Sequence, residues 1–273
     1  MTAQATRPVG VDELRRAWLA VQAGDFRHVR PKQRAVVPAS PGAAVEWTPA
    51  SDELVIPVVG ASGSCGATTV ALALATAVKS PARVVECASA SLSGLAAASN
   101  AELGADDHGW VHGTRDHVQL CRAPGFRETP ETVPTPSPTD APVVTVVDLG
   151  SQLSQVLAGH GWLTSLLADA PTVVVVARAT VPGLRRLESS LHLLDDRAVA
   201  AVLGRPHRRW PRAVAHTVGA LTGELIDSGR LVEIPEDRAV AVHGLTPDPL
   251  PAPLLAASRT LLSLIEGNPD HAR

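Results

Sequence analysis

The chain has 273 residues, 45% of them hydrophobic, and a formal net charge of −3, which fits one or two domains with one sizeable core and excludes a chain built throughout as a polyanion binder. Lysine occurs only at Lys32 and Lys79, so nearly all positive charge is arginine. The three cysteines, Cys65, Cys87 and Cys121, form no C-x-x-C pair, which speaks against a disulfide or zinc framework and for a reducing compartment.

The first predicted element is an amphipathic helix at 11–23, with Val11, Leu14, Trp18 and Val21 on one face and Gly24 as its stop. Residues 30–52 hold Pro31, Pro38, Pro41 and Pro49 among small polar neighbours and read as a linker. The helix region 1–29 is thus tethered to the main body, and Leu14, Trp18 and Val21 are candidate contacts to a protein partner. Packing of the same face back on the main body is the competing reading.

From residue 53 to 267 short apolar runs alternate with helical patterns, and 268–273 read as a tail. Strands are predicted at 55–59, 83–86, 117–121, 143–149, 172–177, 198–203 and 231–234. Helices are predicted at 68–78, 152–168, 183–195, 211–227 and 252–266, and residues 124–142, rich in proline and threonine, read as a surface excursion. Runs such as VVTVVDL and TVVVVA are apolar throughout, the mark of a parallel sheet covered on both faces. The alternation predicts an α/β fold with a doubly wound, mostly parallel sheet flanked by helices. No apolar stretch reaches the ~18 residues of a spanning helix. The first residues show no basic start before an apolar run. A cytoplasmic protein with no integral membrane segment is expected.

The informative segment is VIPVVGASGSCGATTVALALATAV, residues 55–78. A strand runs into Gly60, Gly63 and Gly66, and Thr68 and Thr69 open a helix. Glycines let backbone N–H groups approach an anion closely, and the helix N-terminus adds orphan donors and a partial positive charge. A dinucleotide loop wants G-x-G-x-x-G with an acid ~20 residues on. Glu86 suits that reading, but the spacing here is G-x-x-G-x-x-G and the threonine pair goes unexplained. A Walker A loop wants G-x-x-x-x-G-K-[ST]. Gly66 and Thr68 fit it, while Ala67 stands where the lysine belongs.

The run Ser62-Gly63-Ser64-Cys65-Gly66-Ala67-Thr68-Thr69 resembles the K-G-G-x-G-K-T-T loop of the ParA/MinD superfamily. VVTVVDLG at 143–150 resembles its Walker B strand, TVVVVARATVPGLR at 172–185 its next strand and helix start, and VEIPED at 232–237 its late base-side segment. The resemblance covers roughly 53–266 and implies a P-loop NTPase fold. It implies a nucleotide site at Gly63, Ser64, Cys65, Gly66, Ala67, Thr68, Thr69, Asp148 and Pro235, with ATP or ADP as ligand and Mg²⁺ on Thr68 and Asp148. It also implies a homodimer and protein partners. The departures matter as much: the phosphate lysine is Ala67, the second, signature lysine aligns with Ser62, and the acidic D-x-D after strand two reads Glu86-Cys87-Ala88. A G-A-T-T loop is similar to the ParA-like proteins of tight-adherence pilus systems, the TadZ/CpaE type.

The expected function is therefore a catalytically degenerate organiser of a secretion, pilus or conjugative DNA-transfer machine, with no catalytic residue assigned and vestigial or absent nucleotide binding as one outcome. An active partition-type ATPase with an atypical P-loop and a dinucleotide-dependent enzyme are the alternatives. Arg205, Arg208, Arg209 and Arg212 cluster around His207 and Trp210 and are candidate contacts to nonspecific DNA or another acidic partner. The bland reading of that cluster is a solvated loop anchored by Trp210. The histidines show no convincing metal-ligand spacing, and there is no G-x-S-x-G nucleophile elbow.

Overall fold

The computed structural model describes Arg15, Arg16, Trp18, Leu19 and residues 46–50, 52–123, 125–127, 129–138 and 144–267. The chain divides into two units, 1–42 and 43–273. In the first, Arg15, Arg16, Trp18 and Leu19 are helical and exposed, while Leu14 and Val21 lie outside the described residues.

The second unit is built on a nine-stranded sheet in the order β3-β4-β5-β2-β6-β1-β7-β8-β9. The strands are β1 (Leu54–Gly60), β2 (Ala82–Glu86), β3 (Ala101–Ala105), β4 (Val111–Arg115), β5 (Val118–Arg122), β6 (Val144–Asp148), β7 (Val173–Arg178), β8 (Ala198–Leu203) and β9 (Leu231–Ile234). The seven from β5 to β9 in the sheet are parallel, and β3 and β4 extend one edge antiparallel. The central strands are rich in valine and alanine, which suits a pleated surface buried on both sides.

The helices are α1 (Ala67–Ala77), α2 (Leu153–Ala158), α3 (Trp162–Asp169), α4 (Val181–Leu191), α5 (Arg212–Ala215), α6 (Ala220–Asp227), α7 (Arg238–His243) and α8 (Ala252–Glu266). Alternate residues of each strand feed two cores. Ile56, Val58, Val146, Val174 and Val176 pack under α1 and α8. Val59, Val147, Val173 and Val175 pack under α3, α4 and α6. The chain leaves β1 toward β2 on one side and later reaches β7 on the other. The connections thus part at β1, and the carboxyl end of that strand is the switch point where doubly wound sheets bind ligands.

Several expectations are corrected. The helix predicted at 152–168 is two helices, because Gly159 ends α2 and Gly161, at φ 105°, opens α3. The helix predicted at 211–227 breaks between α5 and α6 around Gly219, whose missing side chain leaves room for the Glu188 carboxylate. Strands β3 and β4 and helix α7 are additions. The described part of the 124–142 excursion is pinned to the sheet domain: the Trp110 and Trp162 indoles donate to the Thr135 and Val133 carbonyls at 2.8 and 3.0 Å. Within the stretch read as linker, Trp47 meets the Trp162 ring edge-on with centroids 5.4 Å apart.

Candidate functional site

β1 delivers the chain to Gly60, beside β7, where Val176 stands opposite Gly60 and its carbonyl accepts the Ala61 N–H at 2.8 Å. The loop then doubles over Cys65, which is buried beneath it. A side chain at Gly60 would meet the Cys65 sulfur at 2.8 Å, so the tight reversal needs glycine there. Gly66 has φ 98°, and a Cβ on it would lie 2.6 Å from Leu203 at the end of β8. Gly63 differs: nothing lies within 4 Å of the place its Cβ would take. The protein leaves the space over Gly63 open, which is what an approaching anion requires.

Gly66 is the N-cap of α1, which has neither a side-chain cap nor an acid in its first turn. The first helical bond runs from Val70 N–H to the Gly66 carbonyl at 3.0 Å. The N–H groups of residues 67–69 therefore point out of the helix end, with the positive end of its dipole.

β6 places Asp148 beside this helix start. The Thr68 hydroxyl donates to the Asp148 carboxylate at 2.6 Å, and the Gly150 N–H donates to its other oxygen at 3.3 Å. Asp148 is buried, and burial raises its pKa while those two hydrogen bonds oppose the rise. In the neighbouring strand Glu86 stands opposite Asp148. Burial pushes the Glu86 carboxyl up to about 7, the Ser93 hydroxyl bond opposes this, and the charge of Asp148 adds to it. The Gly94 and Leu95 N–H groups also donate to Glu86, at 3.2 and 3.4 Å. Burial likewise raises the Cys65 and Cys87 thiols, so neither is set up as a thiolate nucleophile.

The loop residues, Asp148, Gly94 and Gly150 line one cavity of about 730 Å³. Its floor is the loop 62–69 with Asp148. One end is apolar, with Ile234, Pro235, Val240, Ala241 and Leu254, a surface suited to a flat ring. At that end Asp237 caps α7, accepting the Val240 N–H at 3.0 Å. The other end is polar, with Ser89, Arg127, Thr129, Gln152 and Gln155. Among the described residues the cationic side chains lining the cavity are Arg127 and Arg178. Arg178 pairs with Glu236, and the Arg127 guanidinium donates to the Thr132 carbonyl. Among the described residues no lysine is near: Lys79 follows the far end of α1, about 16 Å along the helix from the loop.

The residues named from the loop motif, Gly63 to Thr69, thus meet Asp148 and Pro235 in one cavity. Arg205, Arg208, Arg209 and Arg212 lie away from it. All four are exposed, and no ion pair reaches them among the described residues. Trp210 is buried beneath them and donates its indole N–H to the Arg205 carbonyl at 2.7 Å, while the backbone N–H and the ring of His207 both contact Glu233 at 2.6 Å. The sequence reading passed over Arg127, Arg178, Leu203 and Glu236. Arg178 ends the apolar run TVVVVAR, so a charge at a strand's carboxyl end beside the glycine loop was the available signal. Among the described residues no group of three or more His, Cys, Asp or Glu is placed to hold a metal, and no helix is long and apolar enough to cross a membrane.

No family model matches the chain, and no curated protein matches it by sequence. Solved structures do. The MinC:MinD cell division protein complex of Aquifex aeolicus matches at 14% identity and TM-score 0.49, over 77% of this chain and 96% of that one. A ParA family ATPase from Chlorobium tepidum TLS matches at 13% and 0.45, over 78% and 92%. A variant of Cyanothece McdA in complex with ATP matches at 14% and 0.45, over 80% and 98%. In fold, the chain is similar to these ParA/MinD-type proteins.

Proposed function

We propose that the protein is a ParA/MinD-like nucleotide-binding organiser that holds a nucleotide polyphosphate with little or no turnover. The observation that carries this is one arrangement: an anion-shaped loop and helix start, with Thr68 on Asp148 at its foot, and the methyl of Ala67 where a lysine would meet the phosphates. Phosphoryl transfer is catalysed almost wholly by positioning and electrostatic stabilisation. Removing one preorganised contact of this kind typically costs about 10²–10³ in rate, and here both lysine positions, 62 and 67, are empty of charge. Binding draws on more sources, namely the N–H groups at the helix start, the helix dipole and the apolar end around Pro235.

Thr68 and Asp148 supply a hydroxyl and a carboxylate, the hard oxygen ligands Mg²⁺ takes, and they stand together at the helix start. They fit the ion: Thr68 would hold it through its hydroxyl oxygen, and Asp148 would keep that hydroxyl in place through their hydrogen bond. The ion would neutralise phosphate charge when bound.

The machine served is a further step of the same proposal. The G-A-T-T loop is similar to that of pilus-placing ParA-like proteins, which favours an organiser of a secretion, pilus or DNA-transfer assembly. Trp18, 63% exposed, and the exposed arginines at 205–212 are the surfaces offered to protein and acidic partners, and a homodimer belongs to the same reading. Steady-state phosphate release tests the central claim: turnover at background, unchanged by Asp148→Asn, is expected. Robust turnover that Asp148→Asn abolishes would replace this reading with that of an active partition-type ATPase.

A further inference from the structure

The loop lacks its lysine, yet a cation stands beside it from another strand. β7 runs parallel to β1 with Val176 opposite Gly60, so Arg178, two residues on, projects where the loop leaves the sheet. Val174 and Val176 face the core under α1. Arg178 continues that alternation and leaves the sheet on the same face as the loop. It stands opposite Leu203, the residue against which Gly66 packs. Its guanidinium lines the cavity and pairs there with Glu236, which follows Pro235 at the ring-binding end. The two side chains are 41% and 45% exposed. An exposed pair of this kind is worth little on its own and is readily exchanged for a stronger anion.

We infer that Arg178 is the phosphate-binding cation of this site, releasing Glu236 to take the terminal phosphate of a nucleoside di- or triphosphate. This rests on the nucleotide reading above. A guanidinium binds phosphate through two parallel N–H bonds, which a lysine cannot do. It also arrives from β7 rather than along the helix axis, so it grips without occupying the position from which the missing lysine would act. Among the described residues Arg127 is the other cation lining the cavity, but it approaches from the polar end beside Cys87. Glu236 acts as a built-in competitor that holds the guanidinium at the cavity until an anion displaces it.

The test is calorimetric titration of the full chain with ADP, ATP and inorganic tripolyphosphate in the presence of Mg²⁺. Arg178→Ala should weaken ADP and ATP binding about tenfold or more, the size of one charged hydrogen-bonding contact, and should flatten the salt dependence. Arg178→Lys should recover part of the loss. Glu236→Gln should tighten binding several-fold, because it removes the competitor, and this arm does not depend on the alanine variant folding. Tripolyphosphate should lose as much as ATP in Arg178→Ala, since the contact is to phosphate. Wild-type affinity in Arg178→Ala would overturn the assignment and leave the nucleotide reading intact, as would weaker binding in Glu236→Gln. No binding of any probe by the unaltered protein would overturn both.

Discussion

At the scale of single residues, the three loop glycines are alike in the sequence and unlike in the structure. Gly66 sits at φ 98° with Leu203 2.6 Å from where a Cβ would go, so Gly66→Ala should cost about 1–3 kcal/mol through backbone strain and displacement of Leu203. Gly63 has open space around it, so Gly63→Ala should leave stability within about 0.5 kcal/mol of the unaltered protein while intruding on the ligand's space. Urea titration of the two variants with unchanged m-values checks the contrast; equal losses would show that the loop does not have this shape. Glu86 makes a second residue-scale statement. Its carboxyl is raised from 4.5 to about 7 in the fold, so between those values the native state holds a proton that the unfolded chain does not. Stability from this group is therefore full below about pH 4.5, falls as pH rises toward 7, and is flat beyond. Glu86→Gln, which keeps the side chain neutral, should make the melting temperature less pH-dependent between pH 5 and 8 and higher than that of the unaltered protein at pH 8. An unchanged pH profile would sink the idea. The sequence displayed Glu86 as a residue at the end of a strand, but its perturbation comes first from burial in the folded sheet, to which the charge of Asp148, 62 positions away and opposite it across β2 and β6, adds.

At the scale of elements, α4 and α6 are joined by one carboxylate. Glu188 accepts the Leu221 and Thr222 N–H groups, each at 2.9 Å, and the Thr222 hydroxyl at 2.6 Å. It caps the start of α6 from another helix, where Gly219 leaves room for it. Glu188→Ala should therefore destabilise by about 1–3 kcal/mol, as the loss of a cap with several charge-assisted bonds does. Hydrogen exchange should rise first in α6, and uniform loosening of the whole domain would contradict the local role. The sequence hid this break for a physical reason: an apolar helical period runs through 211–227, and only the distant Glu188 makes a fresh helix start favourable. The parallel strands were legible because burial on both faces selects continuous valine and alanine. Strands β3 and β4 were not, because their residues AELGA and VHGTR carry two glycines and no regular alternation. Their pairing comes instead from lying beside β5. The loop was legible as a phosphate cradle, since its glycines and threonines are contiguous. Arg178 was legible only as a charge at the end of an apolar run; the lateral register of β7 on β1 that brings it beside the loop was not.

At the scale of the whole molecule, the chain divides after residue 42, and the 43–273 unit contains both cores described above. A chain beginning at Ala43 should melt within a few degrees of the full-length protein; a large drop or aggregation would show that the face bearing Trp18 covers apolar surface of the sheet domain. Ligand binding acts on this larger unit as a body, because the cavity joins elements far apart in sequence: the loop after β1, Asp148 on β6, Arg178 on β7 and Pro235 after β9. A ligand that binds only the folded state stabilises by RT ln(1 + [L]/Kd), about 2.7 kcal/mol at a hundredfold excess over Kd. For a unit of this length each kcal/mol raises the melting temperature by about 2–4 °C, so saturating nucleotide should shift it by about 5–10 °C. Ala67→Lys restores a cation at the helix start without altering Gly63, Gly66 or Thr68, and it should bring the same shift at a lower ATP concentration. Tripolyphosphate should gain from Ala67→Lys as ATP does, whereas adenosine, which has no phosphate, should not. If neither protein is stabilised by ATP at any concentration, the loop has kept the shape of a phosphate cradle without the function, and the cavity must be assigned to another ligand.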